Sequence, residues 1–341
     1  MNKIDFIITW VDGNDPIWQQ EKSKYQWKNN VDSRNRRYRD WGTLPYWFRS
    51  IEKYAPWVNK VFLVTYGHLP KWLNLKNPKL RIINHKDYIP ERFLPTFSSR
   101  TIDMNFHLIK DLSEYFVYFN DDMFLTNHVK PTDFFKNGLP CDTAILNVSL
   151  SSGKEKSGKK LSLSNVYTAA YFDTMVINQN FNKKKCILRN LAKWFSPQYG
   201  LNSFRTILLL PWQSFPGFMS YHMPYSYLKS IYREVWEKEP EILSLACEHK
   251  FREITDVNHW LFSYWQIASG KFYPRSPNLG KQIDLRDNDK DNEILYETIK
   301  KNKHKIICIN DSVDLLNYER IKNSLLSAFE YILPNKSSFE M

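Results

Sequence analysis

Two hydrophobic rhythms alternate along this chain. The run Ile4-Asp5-Phe6-Ile7-Ile8-Thr9-Trp10 is rich in β-formers and stops at Asp12-Gly13-Asn14-Asp15-Pro16, which predicts a buried strand and then a turn. Residues 42–54 carry apolar positions at helical spacing and meet Pro56 just past their end, so they read as a helix. Short apolar runs over 60–66, 80–84 and 115–120 predict three more strands, and the last ends on Asp121-Asp122. Between them, Thr96 to Ser113 reads as a loop followed by an amphipathic helix.

Residues 151–160 break the pattern. They are polar, rich in Gly, Ser and Lys, without a period, and predict a mobile loop. From about residue 183 the rhythm is helical, with helices expected near 183–195, 224–237, 239–247 and 256–269. Residues 304–309 read as a returning strand followed directly by Asn310-Asp311, and a helix is expected over about 312–332. Strands alternating with helices make this an α/β protein with a mainly parallel sheet and a helical C-terminal addition. Residues 1–150 with 300–315 form the expected α/β core, 160–300 a mostly helical region, and 312–341 a C-terminal helix and tail.

Composition adds three points. With 43% hydrophobic residues the chain can build a full core. Its net charge of +12 favours an anionic partner, without choosing among nucleic acid, phospholipid and a phosphorylated substrate. Cys141, Cys186, Cys247 and Cys308 stand far apart, which suits buried thiols in a reducing compartment rather than a zinc or redox site. No apolar stretch is long enough to span a membrane and no signal-peptide pattern opens the chain. The expected location is cytoplasmic, with peripheral contact to the inner membrane face left open.

The candidate chemistry gathers at strand ends, where α/β sheets bind ligands. Asp121 and Asp122 follow one strand and Asp12 follows another, which puts the acidic groups on one edge of the sheet. Two carboxylates there suit a hard divalent cation and a general base, although Asn120-Asp121-Asp122 suits a turn equally well. Arg34, Arg36, Arg37 and Arg39 form a basic cluster able to hold phosphate, or simply a solvated loop. His222, His249, Arg252 and His259 add groups that can stabilise a transferring phosphoryl group, each of them as readily structural. The P-loop, the dinucleotide fingerprint, the nucleophile elbow and the zinc-helix motif are all missing from the sequence.

Taken together these segments resemble the Stealth family, which contains bacterial capsular and exopolysaccharide phosphotransferases and the catalytic subunit of the animal GlcNAc-1-phosphotransferase. Its four ordered regions are similar to residues 4–16; to Arg37-Tyr38-Arg39-Asp40 through Tyr118-Phe119-Asn120-Asp121-Asp122; to His222-Met223-Pro224 through Arg252 and Asp256; and to Ile307-Cys308-Ile309-Asn310-Asp311. The resemblance spans roughly residues 4–126, 218–270 and 304–312. Thr43 and Pro45 depart from it, since the family often carries Glu and Arg there.

The resemblance implies a GT-A-like, Rossmann-type core and transfer of hexose-1-phosphate from a UDP-hexose or UDP-N-acetylhexosamine to a glycan or lipid-linked oligosaccharide hydroxyl, with UMP released. It implies catalytic roles for Asp121, Asp122, His222 and Arg252, and donor contacts from Trp10, Asp12, Gly13, Arg39, Arg49 and Asp256. It implies Mg²⁺ or Mn²⁺ held by Asp122, Asn310 and Asp311, with 160–300 completing the active and acceptor sites. Asp121 and Asp122 are not ordered between base and ligand. From the residues alone, a glycosyltransferase releasing UDP fits as well. A non-catalytic binder of nucleic acid or another polyanion fits less well, since it leaves the carboxylates at the strand ends, which would repel phosphate, unexplained.

Overall fold

Strand β1 (Ile4–Thr9) occupies the middle of the main sheet, and its first five residues are buried. It pairs in parallel with β2 (Val61–Thr65) on one side and β4 (Tyr115–Phe119) on the other, in register Phe6 to Val61 and Ile8 to Phe119. Strand β3 (Leu80–Asn84) extends the sheet in parallel beyond β2. Apolar residues on both strand faces are what a parallel sheet covered on both sides demands. Asp5 is the exception within β1. Its buried carboxylate accepts hydrogen bonds from Asn59 Nδ2 at 2.7 Å, Lys60 N at 3.1 Å and Ser113 N at 2.8 Å, tying together the chain entries to the neighbouring strands. The computed structural model describes residues 3–26, 38–149, 166–311 and 316–341. The loop expected at 151–160 lies outside the described residues, as do Arg34, Arg36 and Arg37.

Three findings differ from the pattern reading. Between β3 and β4 the expected helix shrinks to Ser99–Met104 plus a single 3-10 turn at Phe106–Leu108. Residues 224–237 are not one helix, because Tyr225–Leu228 is a strand that joins β4 antiparallel and only Lys229–Lys238 is helical. Two of these four residues, Tyr225 and Tyr227, are β-formers, and all four are buried on the open edge of β4. Finally, the returning strand does not enter the main sheet.

That strand belongs to a second, smaller sheet. β5 (Met123–Leu125) follows β4 after a tight turn, so the chain leaves one sheet and enters another within a few residues. Downstream, β6 (Phe135–Lys136) and β7 (Leu139–Asp142) form a hairpin whose turn, Asn137-Gly138, has positive φ at both residues, as a two-residue hairpin loop requires. The strand at Tyr225–Leu228 is β8, and β9 (Tyr273–Pro274) pairs with β7. In the second sheet β10 (Gly280–Asp284) runs parallel to β11 (Ile306–Asn310), which pairs antiparallel with β5.

Helices cover both sheets. Helix Leu44–Tyr54 turns Trp47, Phe48 and Ile51 inward, fully or almost fully buried. Burying each of the two rings contributes on the order of 2–3 kcal/mol. Helix Trp260–Ala268 is buried at every position, and helix Pro16–Gln26, which no apolar period announces, lies beside the first-strand loop. Helix Tyr318–Ile332 brings Phe329 to 4.7 Å from the Phe124 ring, and the tail after it returns so that Phe339 meets Phe48 at 5.0 Å.

Candidate active site

The turn between β4 and β5 puts Asp121 and Asp122 at the junction of the two sheets. Met123 N donates to Asn120 O at 3.2 Å to close that turn. The end of β11 is held alongside, with Ile309 N donating to Asp122 O at 2.8 Å, so Asn310 and Asp311 face the same space. That space is a cleft of about 170 Å³ also lined by Trp10, Arg39, Asp40 and Trp41. Segments spread over three hundred residues therefore meet past the carboxyl ends of β1 and β4, where such sheets bind ligands.

Asp122 is the best-defined group. Its Oδ2 lies 3.1 Å from His222 Nε2, while Oδ1 is buried and has no hydrogen-bond partner. Among the described residues, Asp122, His222 and Cys308 bring one ligand-capable atom each within 4.8 Å of one another, a spacing that a metal ion can bridge beside the cleft. Burial works against charge on His222, but the Asp122 carboxylate and its hydrogen bond outweigh it and leave the imidazole more basic than usual. Burial, and then the Asp122 charge, pushes the Cys308 thiol well up, so it stays a neutral thiol.

Asp121 has solvent access yet sits in the concavity. Desolvation there, repulsion from Asp122 and then from Asp40 push its carboxyl up to about 7. The water that reaches it tempers the first cause; the neighbouring carboxylates give the direction. Arg252 donates through Nη2 to Ser99 Oγ and is close enough to His222 and His259 for its charge to oppose their protonation. Burial and the nearby Arg100 make Arg252 itself less basic. The structure thus brings Asp121, Asp122, His222 and Arg252 into one electrostatic group.

The donor-contact residues divide. Trp10 and Arg39 line the cleft. Arg39 Nη1 reaches Asp311 Oδ2 at 3.1 Å, and Trp41 Nε1 donates to the same oxygen at 3.1 Å. Asn310 Nδ2 donates to Asp284 Oδ1 at 2.8 Å. Asn310 and Asp311 are thus already engaged with protein, unlike Asp122 Oδ1. Asp12 shapes the first-strand loop: its Oδ1 accepts from Asn14 N at 2.8 Å and its amide donates to His68 Nε2 at 2.7 Å. Gly13 packs so tightly on Tyr38 that a Cβ would fall 2.0 Å from the Tyr38 carbonyl oxygen, so this loop is keyed to the segment that carries Arg39.

Arg49 and Asp256 are not among the residues that line the cleft. Arg49 is taken up by the C-terminal tail, donating to Glu340 at 2.9 Å and to the Leu333 carbonyl at 2.8 Å. Asp256 is buried beneath the site. Its oxygens accept from His249 Nδ1 at 2.6 Å and Glu253 N at 2.7 Å, and Arg100 lies 3.4 Å away. Both look like ligand-binding charges in sequence because a paired charge and a free one are written alike. Asp40, which lines the cleft, and Cys308, buried beside Asp122, are two neighbours of the site that the sequence does not single out. Asp40 could have been suspected, since it closes the Arg37-Tyr38-Arg39 run; Cys308 reads only as core.

A mainly parallel α/β sheet with paired carboxylates, an imidazole and a guanidinium past its strand ends is the layout of an enzyme acting on phosphorylated substrates. The sequence matches the models for Stealth protein CR1, conserved region 1, over residues 2–26, and Stealth protein CR2, conserved region 2, over residues 37–142. It is 43% identical over its whole length to the capsular polysaccharide phosphotransferase WcwK of Streptococcus pneumoniae, covering 98% of that protein. It is 39% identical to the exopolysaccharide phosphotransferase cps2G of Lactiplantibacillus plantarum, with 99% of this chain and 96% of that protein aligned. The chain belongs to the Stealth family and is a phosphotransferase. Among solved structures it is similar to an active-site mutant of LgtC, at a TM-score of 0.38 and 9% identity, with 95% of each chain covered.

Proposed function

We propose that the enzyme transfers hexose-1-phosphate from a UDP-hexose or UDP-N-acetylhexosamine to a hydroxyl of a capsular or exopolysaccharide acceptor, free or lipid-linked. The new linkage is a phosphodiester, and UMP leaves. The observation that carries this reading is the Asp121–Asp122–His222–Arg252 group at the junction of the two sheets. The names of the two polysaccharide phosphotransferases support the acceptor class.

In this scheme the acceptor hydroxyl attacks the β-phosphorus of the donor. The bond from that phosphorus to the bridging oxygen breaks, and that oxygen leaves with UMP. Asp121 takes the hydroxyl proton, since a carboxyl with its pKa pushed to about 7 is matched to a base working near neutrality. Arg252 and protonated His222 hold charge on the transferring and leaving phosphates. Tyr38, Arg39 and Trp41 frame the nucleotide side of the cleft. The anomeric carbon is untouched, so its configuration is retained.

The buried, unpartnered Asp122 Oδ1 fits a hard cation, which usually takes one or two protein carboxylates together with substrate phosphates. Asp122 would hold Mg²⁺ or Mn²⁺, with Asp311 beside it, and the ion would neutralise the diphosphate. Mg²⁺ and Mn²⁺ favour carboxylate and phosphate oxygens over the soft sulfur of Cys308. Catalysis on a cytoplasmic nucleotide sugar places the enzyme in the cytoplasm. Among the described residues no helix is long and apolar enough to cross a membrane.

Product analysis tests the reaction. Incubation with a panel of UDP-sugars and a glycan acceptor is expected to release UMP and a phosphodiester-linked product. Release of UDP would identify a glycosyltransferase and overturn the reading.

A further inference from the structure

Most large apolar side chains exposed on this molecule are scattered singly, as on any protein. One stretch is different. Seven of the seventeen exposed large hydrophobic residues among those described fall between Leu188 and Trp212. Leu201, Phe204, Leu208 and Trp212 expose 83%, 61%, 76% and 55% of their surface. Phe204 and Leu208 sit four residues apart on one face of the short helix Ser203–Leu208, with Leu201 just before it and Trp212 just after it.

The charge along this stretch of chain has one sign. From Thr174 to Arg233 the chain has no Asp or Glu and eight Lys or Arg. Lys183 is buried and donates through Nζ to the Leu209 and Leu210 carbonyls at 2.9 and 3.1 Å, which pins helix Lys183–Arg189 against the end of the patch. Lys184, Lys185 and Arg189, the next cations of that helix, are exposed. Arg205 is exposed within the patch itself.

The same stretch leads into the active site. Arg205 donates to Asn147 Oδ1 at 3.1 Å and is in electrostatic reach of Tyr221, which precedes His222. The patch therefore lies on the side of the molecule that supplies His222.

We propose that Leu201, Phe204, Leu208 and Trp212, rimmed by Lys184, Lys185, Arg189 and Arg205, dock this enzyme on an anionic phospholipid surface. Apolar and aromatic residues enter the acyl boundary while cations meet the headgroups, the arrangement of an interfacial membrane-binding face. A protein partner matching the same face would need an apolar surface ringed by acids. This chain supplies no acids along the stretch, which disfavours a second copy pairing through the same face. The proposal stands apart from the identity of the transferred sugar.

Sedimentation with vesicles tests it. Wild type is expected to pellet with vesicles of mixed phosphatidylglycerol and phosphatidylcholine, to bind them less in high salt, and to bind pure phosphatidylcholine weakly. A variant combining Leu201→Ser, Phe204→Ser, Leu208→Ser and Trp212→Ser is expected to lose binding at least about tenfold, with an unchanged Tm, because all four side chains are exposed. Its UMP release with a water-soluble acceptor is expected to match wild type. If that variant loses Tm, the variant Lys184→Glu, Lys185→Glu, Arg189→Glu decides the matter by losing the phosphatidylglycerol preference. Undiminished vesicle binding in a folded variant would overturn the proposal. So would a wild type that ignores lipid but self-associates, with the serine variant monomeric by sedimentation velocity.

Discussion

Asp122 Oδ2 and His222 Nε2 lie 3.1 Å apart although a hundred residues separate them. The contact does two things. It holds the carboxylate so that Oδ1 remains without a partner, and it makes His222 more basic than a free imidazole. A residue that orients a metal-binding carboxylate is worth about 10–100-fold in activity or metal affinity. His222→Ala is therefore expected to lower kcat by about that factor and to raise the Mg²⁺ or Mn²⁺ concentration giving half-maximal UMP release. An unchanged metal titration would detach His222 from this role.

The two adjacent carboxylates are expected to fail in different ways. Asp121→Asn removes a base and leaves the Asp122 carboxylate intact. It should lower kcat by on the order of 10²–10⁴ with little change in metal dependence. Asp122→Asn should damage rate and metal dependence together. In wild type the base must be deprotonated to work, so kcat/KM should fall toward acid pH as Asp121 gains its proton. Rate profiles of both variants across pH and metal concentration check the assignment; interchangeable profiles would remove the distinction.

The strands of the main sheet and the turn at Asp121-Asp122 are legible in the sequence for one reason. β1, β2 and β4 are short apolar runs that stop abruptly, and an apolar run ending in carboxylates is conspicuous. Tyr225–Leu228 is not, because its β-formers run directly into an amphipathic helix and the period that follows masks them. Cys308 lies inside an apolar run and reads as core, which it also is; only the antiparallel pairing of β11 with β5 brings it beside Asp122. Arg49 shows the opposite case. Its guanidinium suits phosphate, and nothing nearby in sequence announces that Glu340, almost three hundred residues on, will claim it.

That displacement makes Arg49 a stability residue. Its side chain and that of Glu340 are 11% and 5% exposed, and the pair pins the tail to helix Leu44–Tyr54. Removing one partner of a largely buried pair costs about 3–5 kcal/mol. Arg49→Ala is expected to lower Tm substantially while leaving kcat at low temperature near wild type. Arg39→Ala, which loosens Asp311 in the cleft, should do the reverse and raise KM for the donor. Thermal unfolding and steady-state kinetics on the two variants separate the roles, and a kinetic defect confined to Arg49→Ala would refute the placement.

Acid should destabilise this fold through His259. The ring is buried, and Tyr227 Oη is 2.9 Å from both its Nδ1 and its own carbonyl oxygen. Tyr227 has one proton to give and the carbonyl can only accept, so the consistent network has Tyr227 donating to the carbonyl and His259 Nδ1–H donating to Tyr227. Burial, with the charges of His222 and Arg252 adding to it, pushes the imidazole down to about 3. A depressed histidine stays neutral in the fold while the unfolded chain takes up a proton below about 6.5. The stabilisation is thus present above that pH and is lost as pH falls toward the folded value, by about 2 kcal/mol between pH 7 and 5. Glutamine at this position still offers an oxygen and an N–H to the network but does not titrate. Repacking lowers its stability by a similar amount at every pH, so the informative quantity is the slope. The drop in unfolding free energy from pH 7 to pH 5, measured by urea titration, is expected to be smaller in His259→Gln than in wild type by about 2 kcal/mol. Equal drops would mean that His259 takes up its proton over the same pH range in the folded enzyme as in the unfolded chain.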